Sequence, residues 1–416
     1  MNSKLSVQNR RGGWLALGLL VFLLAATHRA ASAPAALPVA QASFDESKLG
    51  QMDAAIEETI AAHQMPGGVL WLEHQGHIYK KAFGQRALLP KPERMTEDTI
   101  FDAASLTKVL ATAPCVMLLW ERGKVMLDEP VATYIPEFKA RGKEGITVRH
   151  LLTHTSGLNA GLGRNPDWLG YEKAISLACA EKPTHPPGGI FRYSDINYIV
   201  LGEIVQRVGG SRLNEFARRE IFKPLGMKDT TYLPDASQIE RIAPTEQIGS
   251  EVLRGKVHDP TAQRMGGVAG HAGVFTTVAD VARFARMFLN EGTLEDVHLF
   301  KPDTVRLMTS VQSPPTVPAR RGLGWDIDSD YSRPRGSVFP LGSYGHTGFT
   351  GVCLWVDPFS HSFWMLFSNR VHPDRSGNVL PLQRTLANLG AEAITDFDFT
   401  HVVGALPPQT NAPPKL

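Results

Sequence analysis

Cysteine is scarce in this chain and charge is almost balanced, and each absence removes a class of protein. Cys115, Cys179 and Cys353 stand far apart in apolar settings and are three in number. A disulfide framework is therefore excluded, and each cysteine reads as a small buried hydrophobe. Lys and Arg total 43 against 41 Asp and Glu, which leaves no nucleic-acid footprint and no basic membrane-binding surface. There is no internal repeat. What remains is ordinary globular material: 416 residues, 43% hydrophobic and 20% charged, enough to bury a large core in one big domain or two medium ones.

The first 33 residues differ from the rest. Lys4, Arg10 and Arg11 precede a charge-free run from Trp14 to Ala26, and Ala31-Ser-Ala33 follows. The run is too short to span a bilayer comfortably, so the segment has the layout of a secretory signal. Pro34 would hinder cleavage after Ala33, which makes Ala40-Gln-Ala42 an alternative site and an uncleaved anchor the other reading. No cysteine near the run supports a lipoprotein anchor. Removing residues 1–33 takes four cations and no acid, moving the formal charge from +2 to −2.

Past a Pro/Ala-rich linker, Phe44 to His63 carries Leu49, Met52, Ile56 and Ile60 at helical spacing. Gly68 onward predicts two strands around a Gln75-Gly76 turn, an antiparallel hairpin. A further helix is predicted to about Arg122, with Asp102 as its N-cap candidate. From Gly123 to about Asp259 the pattern is mostly helical with long loops. Strands return after Gly266, where Gly270 to Thr277 reads as a strand and Val278 to Leu289 as a helix. Gly351 to Asp357 and Ser362 to Asn369 read as paired strands, Leu380 to Ile394 as a closing helix, and the Pro-rich stretch 404–416 as a disordered tail. Strands at both ends with helices between them predict an α/β (α+β) fold: one antiparallel sheet built from both termini and flanked by helices, with an α-helical insertion at about 123–259 in a domain spanning 44–398.

The stretch Phe101-Asp-Ala-Ala-Ser-Leu-Thr-Lys108 places a hydroxyl and an amine at positions i and i+3, which share a helix face. A serine hydroxyl needs a neighbouring group to take its proton before it can act as a nucleophile. A lysine desolvated by the apolar run that follows could do so. Two more motifs occur downstream, Phe191-Arg-Tyr-Ser-Asp-Ile-Asn-Tyr198 before a predicted helix and Tyr344-Gly-His-Thr-Gly-Phe-Thr-Gly351 at the head of a predicted strand.

Ser-x-x-Lys, Tyr-Ser-Asn-like and His/Lys-Thr-Gly motifs in this order resemble the serine β-lactamase and penicillin-binding protein family, in particular its class C β-lactamase and DD-carboxypeptidase branch. Ile146-Thr-Val-Arg-His-Leu-Leu-Thr-His-Thr-Ser-Gly-Leu158 is similar to that branch as well. The resemblance implies a β-lactamase/transpeptidase-like fold. It also implies that Ser105 forms an acyl-enzyme, that Lys108 and Tyr193 move its proton, and that the backbone amides of Ser105 and Phe349 hold the oxyanion. His346, where β-lactamases usually carry lysine, with Thr347 and Gly348, would face tyrosine or substrate.

Asp195 departs from the family's asparagine. It either weakens binding of carboxylate-bearing substrates or pairs with Lys108 and leaves Tyr193 as principal base; helix capping is the bland reading. Val257-His-Asp-Pro-Thr-Ala262, Gly266 to Phe275 and Asn369-Arg-Val-His-Pro373 look like a subgroup associated with muropeptide turnover. Within them His271 is either a candidate for the cleft or a hydrogen-bonded core histidine, and His372 reads as structural. His150 and His154 share zinc-ligand spacing, but no glutamate follows His150, so no metal and no cofactor is expected; His154-Thr-Ser-Gly157 receives no role. The expected protein is exported, periplasmic or secreted. It is a serine hydrolase for peptidoglycan-derived peptides or β-lactams, with a small-molecule or peptidoglycan-fragment substrate, no nucleic-acid partner, and no membrane contact beyond an uncleaved anchor. An esterase on the same residues and a non-catalytic binding member are the alternatives.

Overall fold

The computed structural model describes residues 44–165 and 167–408; the predicted signal segment, both candidate cleavage sites and tail residues 409–416 lie outside them. Eight strands form the central sheet: β1 (Gly67–His74), β2 (His77–Ala87), β3 (Glu93–Arg94), β4 (Arg320–Arg321), β5 (Asp326–Asp328), β6 (Tyr344–Thr347), β7 (Cys353–Asp357) and β8 (Ser362–Ser368). Their order is β4-β5-β6-β7-β8-β1-β2-β3 and every pairing is antiparallel. The N-terminal hairpin thus adds directly to the C-terminal strands, with Val69 opposite Phe367 and Leu72 opposite Trp364.

Successive residues of a strand point to opposite faces, and β1 is buried along its whole length. Leu70 and Leu72 enter a core with Leu49, Met52 and Ile56 of helix Glu46–Ala61 and Leu382 and Leu386 of helix Leu380–Ala393. Val69 and Trp71 join the larger core on the other face. Helices of both chain ends therefore cover one face. The first begins where expected because the Asp45 carboxylate accepts the Ser47 N–H at 2.8 Å. Among the described residues, no helix is long and apolar enough to cross a membrane.

Between β3 and β4 the chain leaves the sheet and returns with most of the helices. Three predicted elements differ. Only Val274–Thr276 of the predicted Gly270–Thr277 strand is extended and paired, because Gly270 lies against helix Asp195–Gly209. A Cβ at Gly270 would stand 1.8 Å from the Tyr198 carbonyl oxygen. His346 and Thr347 close β6 rather than open a strand. The helix after Asp102 starts at Ala104, and Asp102 itself ends a short strand, Phe101–Asp102, paired with Val274–Thr276. Of the stretch read as a tail, the Leu406 N–H donates to the Leu341 carbonyl at 2.8 Å.

Candidate active site

Ser105 sits on a turn with a non-glycine residue in the left-handed region immediately before it: Ala104 has φ +45°. Such a conformation is held only where surrounding contacts over-determine it. Here Asp102 does much of that work. Its carboxylate accepts the Ala104 N–H at 2.8 Å and the His258 N–H at 2.6 Å, and its carbonyl accepts the Thr350 hydroxyl at 2.8 Å. One buried residue thereby ties the serine turn to the Val257-His-Asp segment and to the loop after β6. Burial pushes its carboxyl up to about 6, against the downward pull of the two N–H donors. The sequence offered Asp102 as the helix N-cap; Ala103 holds that position with no side-chain cap, and the Asp102 carboxylate braces the serine turn instead.

After Ser105 the chain makes a π-helical turn over Lys108–Thr112 and continues as α-helix over Ala113–Glu121; such turns concentrate at functional sites. The turn buries the Lys108 side chain completely. Its ammonium donates to Ser105 Oγ at 3.0 Å and to the His271 carbonyl at 3.1 Å, and meets Asp195 Oδ1 at 2.8 Å. Three donors therefore have three acceptors, the arrangement of a charged lysine. Burial alone would lower its affinity for the proton, but the Asp195 carboxylate and the Tyr193 phenol outweigh burial and hold it above the usual lysine range. Asp195 is the first residue of helix Asp195–Gly209, with Ser194 in the cap position. Of the readings open for Asp195, the pairing with Lys108 is the one found.

Tyr193 precedes that helix. The Lys108 ammonium lies 4.9 Å from its ring centre. The ring is stacked between His154, 4.4 Å away, and Tyr331, 5.0 Å away. His154, given no role from the sequence, thus backs the Tyr193 ring from the core. It is buried, and its Nδ1 accepts the Ser194 N–H at 3.1 Å and lies 3.2 Å from the Asn197 amide. His150 instead caps its own helix with Thr147, so the two histidines share no centre.

His346 is 6.0 Å from the Tyr193 ring and lines the same cleft. Its Nδ1 donates to the Thr347 carbonyl at 2.8 Å, which makes the buried Nε2 an acceptor with no partner among the described residues. Burial, then the Arg321 and Lys108 charges, push the imidazole well below its ordinary value, so it is neutral at physiological pH. In ¹⁵N-histidine spectra the signal removed by His346→Gln is expected not to titrate between about pH 6.5 and 8, where an exposed histidine turns over. A protonation step for that signal in this window would refute the assignment.

Gly348 follows, and only glycine fits: a Cβ there would come 2.5 Å from Val352 and 2.7 Å from the Ala103 carbonyl. This close approach brings the Phe349 N–H beside the serine turn. Neither the Ser105 nor the Phe349 N–H finds a protein acceptor among the described residues. The Phe349 side chain is about half exposed and lies over His258 and Arg370. Ser105, Tyr193, His346, Thr347, Gly348 and Phe349 line one cavity of about 560 Å³.

His271 is under the site rather than in it. It is buried, and its Nε2 meets Asp259 at 2.9 Å. Asp195, Asp259 and His271 form a group with ligand-capable atoms within 4.8 Å of one another, but the Lys108 ammonium already supplies the positive charge against Asp195. His372 is a structural tie: Nε2 accepts the Leu88 N–H at 2.9 Å and Nδ1 donates to the Thr245 carbonyl at 2.7 Å. Cys115 and Cys353 are buried free thiols, and Cys179 is partly buried.

The family model for Beta-lactamase matches residues 52–389. The chain belongs to the beta-lactamase family. Relatives within that family include an N-acetylmuramyl-L-alanine amidase of Bacillus subtilis (strain 168), 32% identical over 381 residues, which cover 81% of this chain and 86% of that one. A chain of Escherichia coli (strain K12), described provisionally as a D-alanyl-D-alanine carboxypeptidase, is 30% identical over 373 residues, covering 80% and 84%. Among solved structures, a class C beta lactamase from Rhodobacter sphaeroides superposes with a TM-score of 0.65 at 19% identity, over 81% of this chain and 97% of that one; at that identity the match speaks for the fold. This member of the beta-lactamase family is an enzyme, a serine hydrolase.

Proposed function

We propose that the protein is an exported hydrolase that acts through a Ser105 acyl-enzyme on peptidoglycan-derived peptides, in the manner of a DD-carboxypeptidase or muropeptide amidase, or on β-lactams. The observation that carries this is the 3.0 Å contact between Ser105 Oγ and the Lys108 ammonium beneath Tyr193, at the floor of a cleft large enough for a peptide fragment.

In the proposed reaction Ser105 Oγ attacks the substrate carbonyl carbon. Lys108 has all three N–H groups engaged, so Tyr193, entering the reaction as the phenolate that the ammonium beside its ring stabilises, takes the serine proton and becomes the neutral phenol. The carbonyl oxygen becomes negative between the free N–H groups of Ser105 and Phe349. Tyr193 then returns the proton to the leaving nitrogen or oxygen, the carbon–leaving-group bond breaks, and water repeats the cycle on the ester. Tyr193→Phe keeps the ring stack and removes the proton acceptor. A loss in kcat of roughly 10²–10⁴-fold is expected with an unshifted melting temperature; near-wild-type turnover would move the base role elsewhere.

A second reading, a carboxylesterase using the same residues, draws support from the neutral His346. Where lysine would supply a fixed positive charge, this site presents an uncharged imidazole. Intact-mass spectrometry after incubation with muropeptides, a penicillin and a nitrophenyl ester separates the readings. A Ser105 adduct from penicillin together with muropeptide cleavage supports the first, and turnover of the ester alone supports the second.

A further inference from the structure

The oxyanion donors proposed above, the Ser105 and Phe349 N–H groups, lie on separate stretches of chain, the serine turn and the loop after β6. Asp102 touches both. Its two carboxylate oxygens are divided between two donors: Oδ1 accepts the Ala104 N–H at 2.8 Å and Oδ2 the His258 N–H at 2.6 Å. Its carbonyl accepts the Thr350 hydroxyl at 2.8 Å, one residue past Phe349. The same two stretches meet again where a Cβ at Gly348 would stand 2.7 Å from the Ala103 carbonyl. Asp102 is buried, and the one charge acting on it among the described residues is that of Asp259, of its own sign. The elements packed around it bring no free cation. The His258 imidazole is turned to Glu246 at 3.1 Å, and the Lys108 ammonium is engaged by Ser105, Asp195 and the His271 carbonyl. The strand Val274–Thr276 and the loop 348–352 carry no ionisable side chain.

A buried carboxylate with no cation beside it is costly to keep ionised, and here two N–H donors offset that cost. We propose that Asp102 is the positioning residue of the oxyanion hole: its ionised carboxylate fixes the Ser105 turn through Ala104, while its carbonyl fixes the Phe349 loop through Thr350. The proposal rests on the Ser105 acyl-enzyme reading and adds a sensitivity to pH. Each carboxylate oxygen has one donor facing it, so a proton on either oxygen sets O–H against N–H and breaks one of the two contacts. The turn that holds Ala104 at φ +45° then loses a restraint, and the Ser105 N–H moves off its target. Because burial lifts the Asp102 carboxyl to about 6, the change falls just below neutrality, and turnover is switched down as the surroundings acidify.

Asp102→Asn copies the protonated acid, with an NH₂ in place of one oxygen. With p-nitrophenyl butyrate at about pH 8, kcat of the variant is expected to fall by roughly 10- to 100-fold, less than the full loss of an oxyanion donor, with KM within about 3-fold of wild type. Active sites are counted with a fluorophosphonate, so that an unfolded fraction does not enter. The deciding measure is the ratio of wild-type to variant kcat across pH, in which titrations common to both proteins cancel. It should be level above about pH 7 and drop by about tenfold per unit below about 6, towards one, following a single proton. A ratio equal at about pH 5 and 8, or a loss carried by KM, overturns the proposal, because a merely structural role would lower activity evenly. Thr350→Val breaks the other tie and should lower kcat by about 3- to 10-fold at every pH, since a carbonyl does not titrate; wild-type turnover in that variant overturns it as well. If no ester turns over and a fluorophosphonate does not label Ser105, the hydrolase reading has failed on its own account. In that case, or if Asp102→Asn does not fold, the Ala104 amide of wild type decides. Followed by ¹⁵N NMR, it is expected to shift with a midpoint near about pH 6 as its acceptor takes a proton. An amide that stays in place between about pH 5 and 8 rejects the Asp102 assignment.

Discussion

Ser105→Ala is expected to lower turnover of any substrate of this enzyme by about 10⁵-fold or more, the scale seen when the nucleophile of a covalent mechanism is removed. The reason is local. The Ser105 hydroxyl is the one group in the cleft positioned both against the Lys108 ammonium, at 3.0 Å, and on a turn whose N–H is unengaged. No neighbouring hydroxyl on that turn is free to replace it, since Thr107 Oγ1 accepts the Val274 N–H at 3.1 Å. Stability should hardly change, because the serine is only partly buried and Lys108 retains two of its three acceptors. The check is paired: steady-state rates with a melting curve, and penicillin or fluorophosphonate labelling by intact mass. Residual activity above about 1%, or an adduct on the alanine variant, would place the nucleophile elsewhere.

Lys108→Met is expected to cost both activity and stability, and the two losses should separate. A buried ion pair that loses one partner leaves an uncompensated charge, a penalty of about 3–5 kcal/mol when both members are fully enclosed. Here Lys108 is wholly buried but the Asp195 side chain is 32% exposed. Water can therefore reach the orphaned carboxylate, and a loss nearer 2–3 kcal/mol is expected. The contribution is insensitive to pH in the usual range. The folded-state lysine is held above its ordinary value, so its stabilising effect is fully present below about pH 10.4 and is lost only as pH rises through the higher folded value. The double variant Lys108→Met/Asp195→Asn removes the stranded charge and should regain most of the melting temperature, while kcat stays down by about 10³-fold or more. Recovery of activity in the double variant would show that Lys108 matters only as a counter-charge.

Much of this site was legible because its chemistry is local in sequence. Ser105 and Lys108 share a helix face by spacing alone, and the Gln75-Gly76 hairpin and the helix from Leu380 announce themselves through turn residues and apolar periodicity. The residues that escaped notice are those whose role depends on what lies opposite them. His154 looked like an idle member of a Thr-Ser-Gly stop signal, yet its ring stacks on Tyr193. Asp102 resembled a helix cap, yet it ties its own turn to His258 and Thr350, 156 and 248 positions further along the chain. His271 was read either as a cleft residue or as a hydrogen-bonded core histidine, and the second is found: it is buried with Nε2 against Asp259 at 2.9 Å.

The amino-acid order determined the outline of the sheet, because a two-residue strand period is a property of neighbouring side chains, and its Ser-x-x-Lys, Tyr-Ser-Asp and His-Thr-Gly motifs, taken in order, carried the family resemblance that implied the reaction class. The charge states and the walls of the cleft belong to the folded molecule. Whether Lys108 is an ammonium and whether His346 is neutral follow from burial and from charges brought within a few ångströms by chain closure. Such electrostatic effects grow as water is excluded, so they come into being only with the tertiary structure.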